Sequence, residues 1–267
     1  MQVTLKDKAV LAIGATQRIA RACVEAVASC GADLALVSRD DAALEAQAHD
    51  LSHRYGVQIT THPADVTDPV ALQNAIDTAI SVYGARLKGL LPLVGSWDGP
   101  GLLHELTDDN WRFAFERIVL PVTRSAHAVL PHFMAHGGGS IVTLGAYSAR
   151  VVNPVTAHYS SMKAAVIHIT KNIAKAYGAH KIGANCVCPS VVVTEELEAR
   201  RKDLAARYGV PDAEALWTYA RDAFHAEYFL EELGDVRDIG AAVAFLMSDQ
   251  SRYTTGAVLN VDGGTNF

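Results

Sequence analysis

The sequence predicts an α/β fold, a doubly wound parallel sheet with helices on both faces. Two observations carry that expectation. Short unbroken apolar runs recur along the chain, separated by longer amphipathic stretches, which is how strands buried on both faces alternate with the helices that cover them. The chain has 267 residues, 50% of them hydrophobic, which suits one large domain over 1–267 with a sizeable core. Right-handed crossovers between parallel strands then give the doubly wound order.

Residues 8–13, rich in Val, Leu and Ile, read as the first strand. Residues 19–30 read as a helix with Gly31 as its C-cap. A second strand over 33–37, a helix over 41–55 and a third strand over 57–61 follow. Asp68 before Pro69 is an N-cap signal for a helix over 69–82. A fourth strand covers 88–94. A long helical stretch, 108–136, contains Pro121 and Pro131, so a kink or break is expected at a proline before Gly137–Gly139 end it. The fifth strand is 140–144, a long helix 156–177, the sixth strand 182–187, a helix 235–247 and the seventh strand 257–261. The segment 195–233 differs from the rest: it is helical, charged and aromatic, with Trp217, Tyr219, Phe224, Tyr228 and Phe229. It reads either as a lid, about 190–233, over the carboxyl edge of the sheet, or as a subunit-packing surface.

Bulk properties exclude several functions. The formal charge of −6 leaves no basic footprint for nucleic acid. No apolar run reaches the length of a membrane span. Residues 1–15 carry alternating charges and a short apolar strand rather than a secretion signal, so a cytoplasmic location is expected. The four cysteines, Cys23, Cys30, Cys186 and Cys188, form no CxxC pair and read as reduced, buried thiols. Cys186 and Cys188 share a strand face but are poorly placed to bond to each other. The helical pairs His49/His53 and His132/His136 lack a third ligand and read as surface residues, so no metal is expected. Lys171, Lys175, His180 and Lys181 read as a solvated face.

The strongest chemical signal is His158-Tyr159-Ser160-Ser161-Met162-Lys163. Tyr159 and Lys163 lie one helical turn apart on one face, near the carboxyl edge of the sheet. An ammonium group there would favour phenolate and lower the tyrosine pKa from ~10, making the phenol a usable general acid or base.

With Tyr159-x-x-x-Lys163 stand Asp65 after the third strand, Asn185-x-x-x-Pro189 with Thr194, and the ending Thr255-Gly256 through Val261-Asp262-Gly263-Gly264. In these marks the whole chain resembles the short-chain dehydrogenases/reductases. The resemblance implies a Rossmann-type, seven-stranded sheet. It also implies hydride transfer between NAD(P) and a carbonyl or secondary alcohol carbon, with Tyr159 passing the proton and Lys163 lowering its pKa and holding the nicotinamide ribose. By the same resemblance Gly14, Thr16, Arg18, Ile19, Arg39, Asp65, Val66, Gly95, Lys163, Pro189 and Thr194 would line the cofactor site, Asp65-Val66 lying against the adenine. A homotetramer or homodimer is implied as well.

The departures from that pattern are specific. The family's Gly-x-x-x-Gly-x-Gly turn is here Gly14-Ala15-Thr16-Gln17-Arg18-Ile19-Ala20, so only the first glycine remains. Arg18 would either swing out to meet a phosphate or fill the site. The family's Asn-Asn-Ala-Gly is Pro92-Leu93-Val94-Gly95, and Ser190 replaces the glycine after Pro189. The serine that hydrogen-bonds the substrate oxygen is replaced by Ala146, and the asparagine of the water chain by Ile118. Ser148, Tyr147 and His158 are the polar groups nearby, and each reads more simply as structural. Arg39 after the second strand suits a 2′-phosphate, so NADP is expected over NAD; otherwise it pairs with Asp40 or Asp41. The apolar and aromatic content of 95–106 and 191–229 points to a hydrophobic or ring-containing small-molecule substrate. The alternatives are a redox-silent lyase, isomerase or cyclase using Tyr159 for proton transfer, and a non-catalytic subunit of the same fold.

Overall fold

The computed structural model describes residues 3–16, 18–224 and 227–265. Seven parallel strands form one sheet: β1 (Ala9–Ile13), β2 (Asp33–Ser38), β3 (Ile59–Pro63), β4 (Leu87–Pro92), β5 (Gly139–Leu144), β6 (Ile182–Pro189) and β9 (Val258–Val261), in the order β3-β2-β1-β4-β5-β6-β9. The order reverses at β1, whose neighbours are β2 and β4, and that reversal opens a crevice at the carboxyl ends of the strands.

The alternating faces of β1 explain its unbroken apolar sequence. Ala9, Leu11 and Ile13 join the core beneath α3 (Pro69–Tyr83), α5 (Leu120–Ala135) and α6 (Ala157–Tyr177). Val10 and Ala12 join the opposite core beneath α1 (Ile19–Ser29), α2 (Asp41–Tyr55) and α10 (Val236–Met247). Side chains such as Phe133, fully buried, each contribute roughly 1.5–3 kcal/mol to such a core. Caps fix the helix starts: Asp40 accepts from the Ala43 N–H, and Asp68 from the Val70 and Ala71 N–H groups with Pro69 following.

Several elements depart from the sequence expectation. β3 starts and ends two residues later than 57–61, because this edge strand begins only where Ile59 pairs with Leu34. β4 ends at Pro92, the partner of Ile13; Leu93 and Val94 leave the sheet for the crevice. The stretch 108–136 divides into α4 (Asp108–Ala114), a π-helical turn (Phe115–Val119) and α5. Neither proline makes that break. Pro121 sits in the first turn of α5, where its missing N–H costs nothing, and Pro131 is carried inside the helix.

The segment 195–233 contains α7 (Glu195–Ala199), α8 (Arg201–Tyr208) and α9 (Asp212–Phe224). Its base is tied by a small parallel pair, β7 (Val192–Val193) with β8 (Gly234–Asp235), too short to show in the sequence pattern. A small core of Leu197, Leu204, Ala205, Ala215 and Leu216 holds its helices together. Among the described residues no helix is long and apolar enough to cross a membrane, and no group of three or more His, Cys, Asp or Glu is arranged to hold a metal. His49 and His53 are exposed, but His132 is buried, which corrects its reading as a surface residue: it faces inward beside Phe133, and only its ring neighbour His136 is exposed.

Candidate active site

A cleft of about 890 Å³ opens at the carboxyl ends of the strands, and every candidate residue lines it: Gly14, Thr16, Arg18, Ile19, Arg39, Asp65, Val66, Gly95, Tyr159, Lys163, Pro189 and Thr194. The topology is the cause, since each follows a strand end or opens the helix after it.

The turn after β1 keeps the course a glycine-rich loop would take. Gly14 has φ 79°, and a Cβ there would sit 3.2 Å from the Leu93 carbonyl oxygen. The Gly14 and Ala15 N–H groups donate to the Val37 carbonyl, and the Thr16 and Ser38 hydroxyls are 2.8 Å apart. Arg18 occupies φ 49°, ψ −127° as the residue before α1, a conformation that glycine adopts freely and arginine does not. It provides no side-chain cap, and the first turn of α1 holds no acidic residue. Its side chain lines the cleft, with Nε 3.5 Å from Glu196 of α7, which lines it too.

After β2, Arg39 lies 3.9 Å from Asp65 and not against Asp40, which caps α2. Asp65 holds its own turn by accepting from the N–H and hydroxyl of Thr67. Those bonds, the backbone one first, with Arg39 and Arg117 nearby, keep its carboxyl below the usual range. Thr194 caps α7 by accepting from the Leu197 N–H.

Tyr159 and Lys163 meet as expected, but not with the expected electrostatics. Lys163 is 4% exposed, and its ammonium donates to the carbonyls of Leu144 at 2.9 Å and Val94 at 3.2 Å. A Cβ on Gly95 would stand 3.0 Å from its Nζ and press on the ammonium. Burial pulls Lys163 down to about 8. Its Nζ lies 5.8 Å from the Tyr159 ring centroid. Burial pushes the Tyr159 phenol up to about 12; the Arg18 guanidinium opposes this and Cys188 adds to it. The cation that opposes the rise of the phenol is Arg18, while the Lys163 ammonium, drawn to the two carbonyls, stands beside the ring. Beneath the cleft the unpaired thiols of Cys186 and Cys188 are 4.0 Å apart, and the Cys186 thiol is held below its ordinary range, first by its hydrogen bond with Cys188.

Ala146 and Ile118 offer no polar group. Ala146 lines the cleft, whereas Ile118 is fully buried in the π-helical turn and packs in the core. His158 is fully buried, with Nε2 2.6 Å from Asp98, which also accepts from Asn110; this link ties the β4–α4 loop to the start of α6. The Tyr147 hydroxyl donates to the Phe224 carbonyl at 3.4 Å, and burial pushes it far above its ordinary value. Tyr147 and Ser148 both line the cleft, whereas His158 does not. The sequence reading missed Ser38 and Arg117, which line the cleft too, and singled out none of Trp97, Glu196 and Arg200, which fall within its substrate segments 95–106 and 191–229. Ser38, the last residue of β2, was findable from its strand-end position. The others depend on the packing of loops, of the π-helical turn and of α7, which has no sequence period.

A family model described as enoyl-(acyl carrier protein) reductase matches residues 14–266. The chain is 30% identical over 270 residues to an uncharacterized short-chain type dehydrogenase/reductase of Sinorhizobium fredii, covering 97% of this chain and 98% of that one. It is 31% identical over 261 residues to 2-keto-3-deoxy-L-fuconate dehydrogenase of Xanthomonas campestris, covering 97% and 80%. Among solved structures it matches the L-sorbose reductase of Gluconobacter frateurii, complexed with NADPH and L-sorbose, with TM-score 0.90, 24% identity, and 100% and 99% of the two chains covered. That last likeness is one of fold. The protein belongs to the short-chain dehydrogenase/reductase family of oxidoreductases.

Proposed function

We propose that the protein is an NADP-dependent oxidoreductase acting on a carbonyl or secondary alcohol carbon, with Tyr159 as the general acid/base and Lys163 beside it. The observation that carries this reading is the single cleft that gathers every candidate residue at the topological switch point. NADPH in a related reductase of the same fold supports the cofactor class.

The residues fit a dinucleotide phosphate. The Gly14 turn leaves room that a Cβ would fill, and the uncapped start of α1 directs N–H groups at an approaching anion. Thr16, Arg18 and Ile19 would hold the diphosphate. Arg39 would meet a 2′-phosphate, and Asp65 and Val66 would border the adenine. Gly95, Lys163, Pro189 and Thr194 would flank the nicotinamide end. When bound, the nicotinamide supplies or accepts the hydride.

The chain supplies the proton. Tyr159 gives it to the substrate oxygen during reduction and takes it back during oxidation. The burial that raises the phenol keeps it protonated before reduction, and the Arg18 and Lys163 cations stabilise the phenolate left behind. Trp97, Tyr147, Tyr219 and Phe224 give the substrate end an aromatic wall suited to a hydrophobic or cyclic small molecule. The segment 190–233 acts as the lid, since Val191, Leu197, Arg200 and Phe224 border the cleft. A homodimer or homotetramer would cover exposed apolar residues such as Leu103 and Val152.

A second reading, a redox-silent lyase, isomerase or cyclase, is favoured by one observation: Ala146 and Ile118 leave the site without its usual polar companions. NADPH oxidation followed by absorbance, with L-sorbose and cyclic ketones as substrates, separates the two. Turnover that Tyr159→Phe abolishes while nucleotide binding persists supports the oxidoreductase. Nucleotide-independent conversion lost in the same variant supports the second reading, and an unchanged rate removes Tyr159 from the chemistry.

A further inference from the structure

We propose that Ser148 is a further catalytic residue: its hydroxyl donates the hydrogen bond to the substrate oxygen that Ala146 cannot. The inference rests on the oxidoreductase reading and assigns the second donor of that site.

A carbonyl gains negative charge on oxygen as hydride arrives, and a fixed donor aimed at that oxygen stabilises the change. Tyr159 offers one O–H. A second is missing at Ala146, whose methyl group borders the cleft. Other hydroxyls around the cleft are largely committed. The Tyr147 hydroxyl is drawn to the Phe224 carbonyl on the lid. Ser190 donates to the Tyr228 hydroxyl, Thr156 pairs with Ser160, Thr16 with Ser38, and Thr194 caps α7. Ser96 is only partly buried.

Ser148 alone combines the properties required. It is 8% exposed, it lines the same cleft as Tyr159, and its hydroxyl has no hydrogen-bond partner among the described residues. A hydroxyl at the cleft with no protein acceptor is free to donate to a molecule that enters. Its position is held by the backbone. Residues 147–149 form a 3-10 turn closed by Ala149 N–H to the Ala146 carbonyl and by Arg150 and Val151 N–H to the Tyr147 carbonyl. The turn is anchored to the sheet by Gly145 N–H donating to Val187. Tyr147 of the same turn reaches the Phe224 carbonyl of α9, and Phe224 and Tyr219 line the same cleft. No proton leaves Ser148; the transferred proton comes from Tyr159.

The test compares wild type, Ser148→Ala, Ser148→Thr and the double variant Ala146→Ser/Ser148→Ala for NADPH binding by nucleotide fluorescence and for turnover of cyclic ketones and L-sorbose. Ser148→Ala should lower kcat by roughly a hundred- to a thousand-fold with NADPH affinity unchanged. Ser148→Thr should retain most activity, and the double variant should recover at least tenfold over Ser148→Ala. A purely structural role would move NADPH affinity and thermal stability together with kcat, and would not be rescued from position 146. If wild type turns over and Ser148→Ala stays within threefold of it, the proposal for Ser148 is overturned while the oxidoreductase reading stands. If wild type neither binds NADPH nor oxidises it, that reading fails and this inference fails with it.

Discussion

Arg18 offers a direct test of how this chain accommodates its departures from the glycine turn. At φ 49°, ψ −127° it holds a backbone conformation that costs a residue with a Cβ about 1–3 kcal/mol. Its ion pair with Glu196 joins side chains 67% and 57% exposed, so it contributes only ~0–1 kcal/mol. Arg18→Gly and Arg18→Ala both remove the ion pair, but only glycine relieves the backbone. Glycine gives back roughly 0.5–1 kcal/mol through the greater freedom of the unfolded chain. Arg18→Gly should therefore be more stable than Arg18→Ala by about 0.5–2 kcal/mol. For a chain of this size each kcal/mol moves Tm by about 2–4 °C. Thermal unfolding of both variants by circular dichroism gives the comparison. If Arg18→Ala melts at or above Arg18→Gly, the turn is unstrained and the reasoning is wrong. The strain is retained because the guanidinium acts at the cleft. Both variants should accordingly weaken NADPH binding and shift the alkaline limb of kcat for ketone reduction to higher pH, since the phenol loses the cation that holds its pKa down.

Two further outcomes follow from Lys163 and its surroundings. Its ammonium titrates at about 8 when folded against an ordinary 10.5, so between those values the unfolded chain binds more protons and stability rises with pH; the penalty is complete below pH 8. Measured against Lys163→Met at each pH by urea unfolding, wild type should gain about 3 kcal/mol between pH 7 and 10.5, at 1.36 kcal/mol per pH unit; parallel curves would contradict a desolvated ammonium. Gly95→Ala places a methyl 3.0 Å from Nζ and should lower kcat roughly tenfold or more through displacement of the ammonium, with little loss of Tm. Unchanged steady-state kinetics in that variant would show that Lys163 need not hold this position.

What could be read in the sequence depended on whether it had a period. The strands of the sheet and the helices between them were legible because burial on both faces writes itself as unbroken apolar runs. The break before α5 was placed at a proline, but the π-helical turn at Phe115–Val119 has no residue signature, and Pro121 proved compatible with the first turn that follows. The pair β7–β8 was invisible because two residues cannot show alternation. The cleft residues were legible where they end a strand, as Gly14, Arg39, Asp65 and Pro189 do. Their electrostatics were not, because the spacing of Tyr159 and Lys163 does not reveal that the ammonium turns to the Leu144 and Val94 carbonyls. The contact of Arg18 with Glu196 likewise depends on the segment of α7, α8 and α9, which packs through Leu197, Leu204 and Leu216 without a signal in local sequence.

The central claim is that the divergent turn still accepts a phosphorylated dinucleotide. Titrating the purified protein with NADPH and with NADH, followed by nucleotide fluorescence, measures it directly. The account predicts saturable binding of NADPH, tighter than that of NADH, with the preference reduced at least tenfold by Arg39→Asp. Failure of both nucleotides to bind at ~1 mM, which corresponds to less than about 4 kcal/mol of binding free energy, would contradict it.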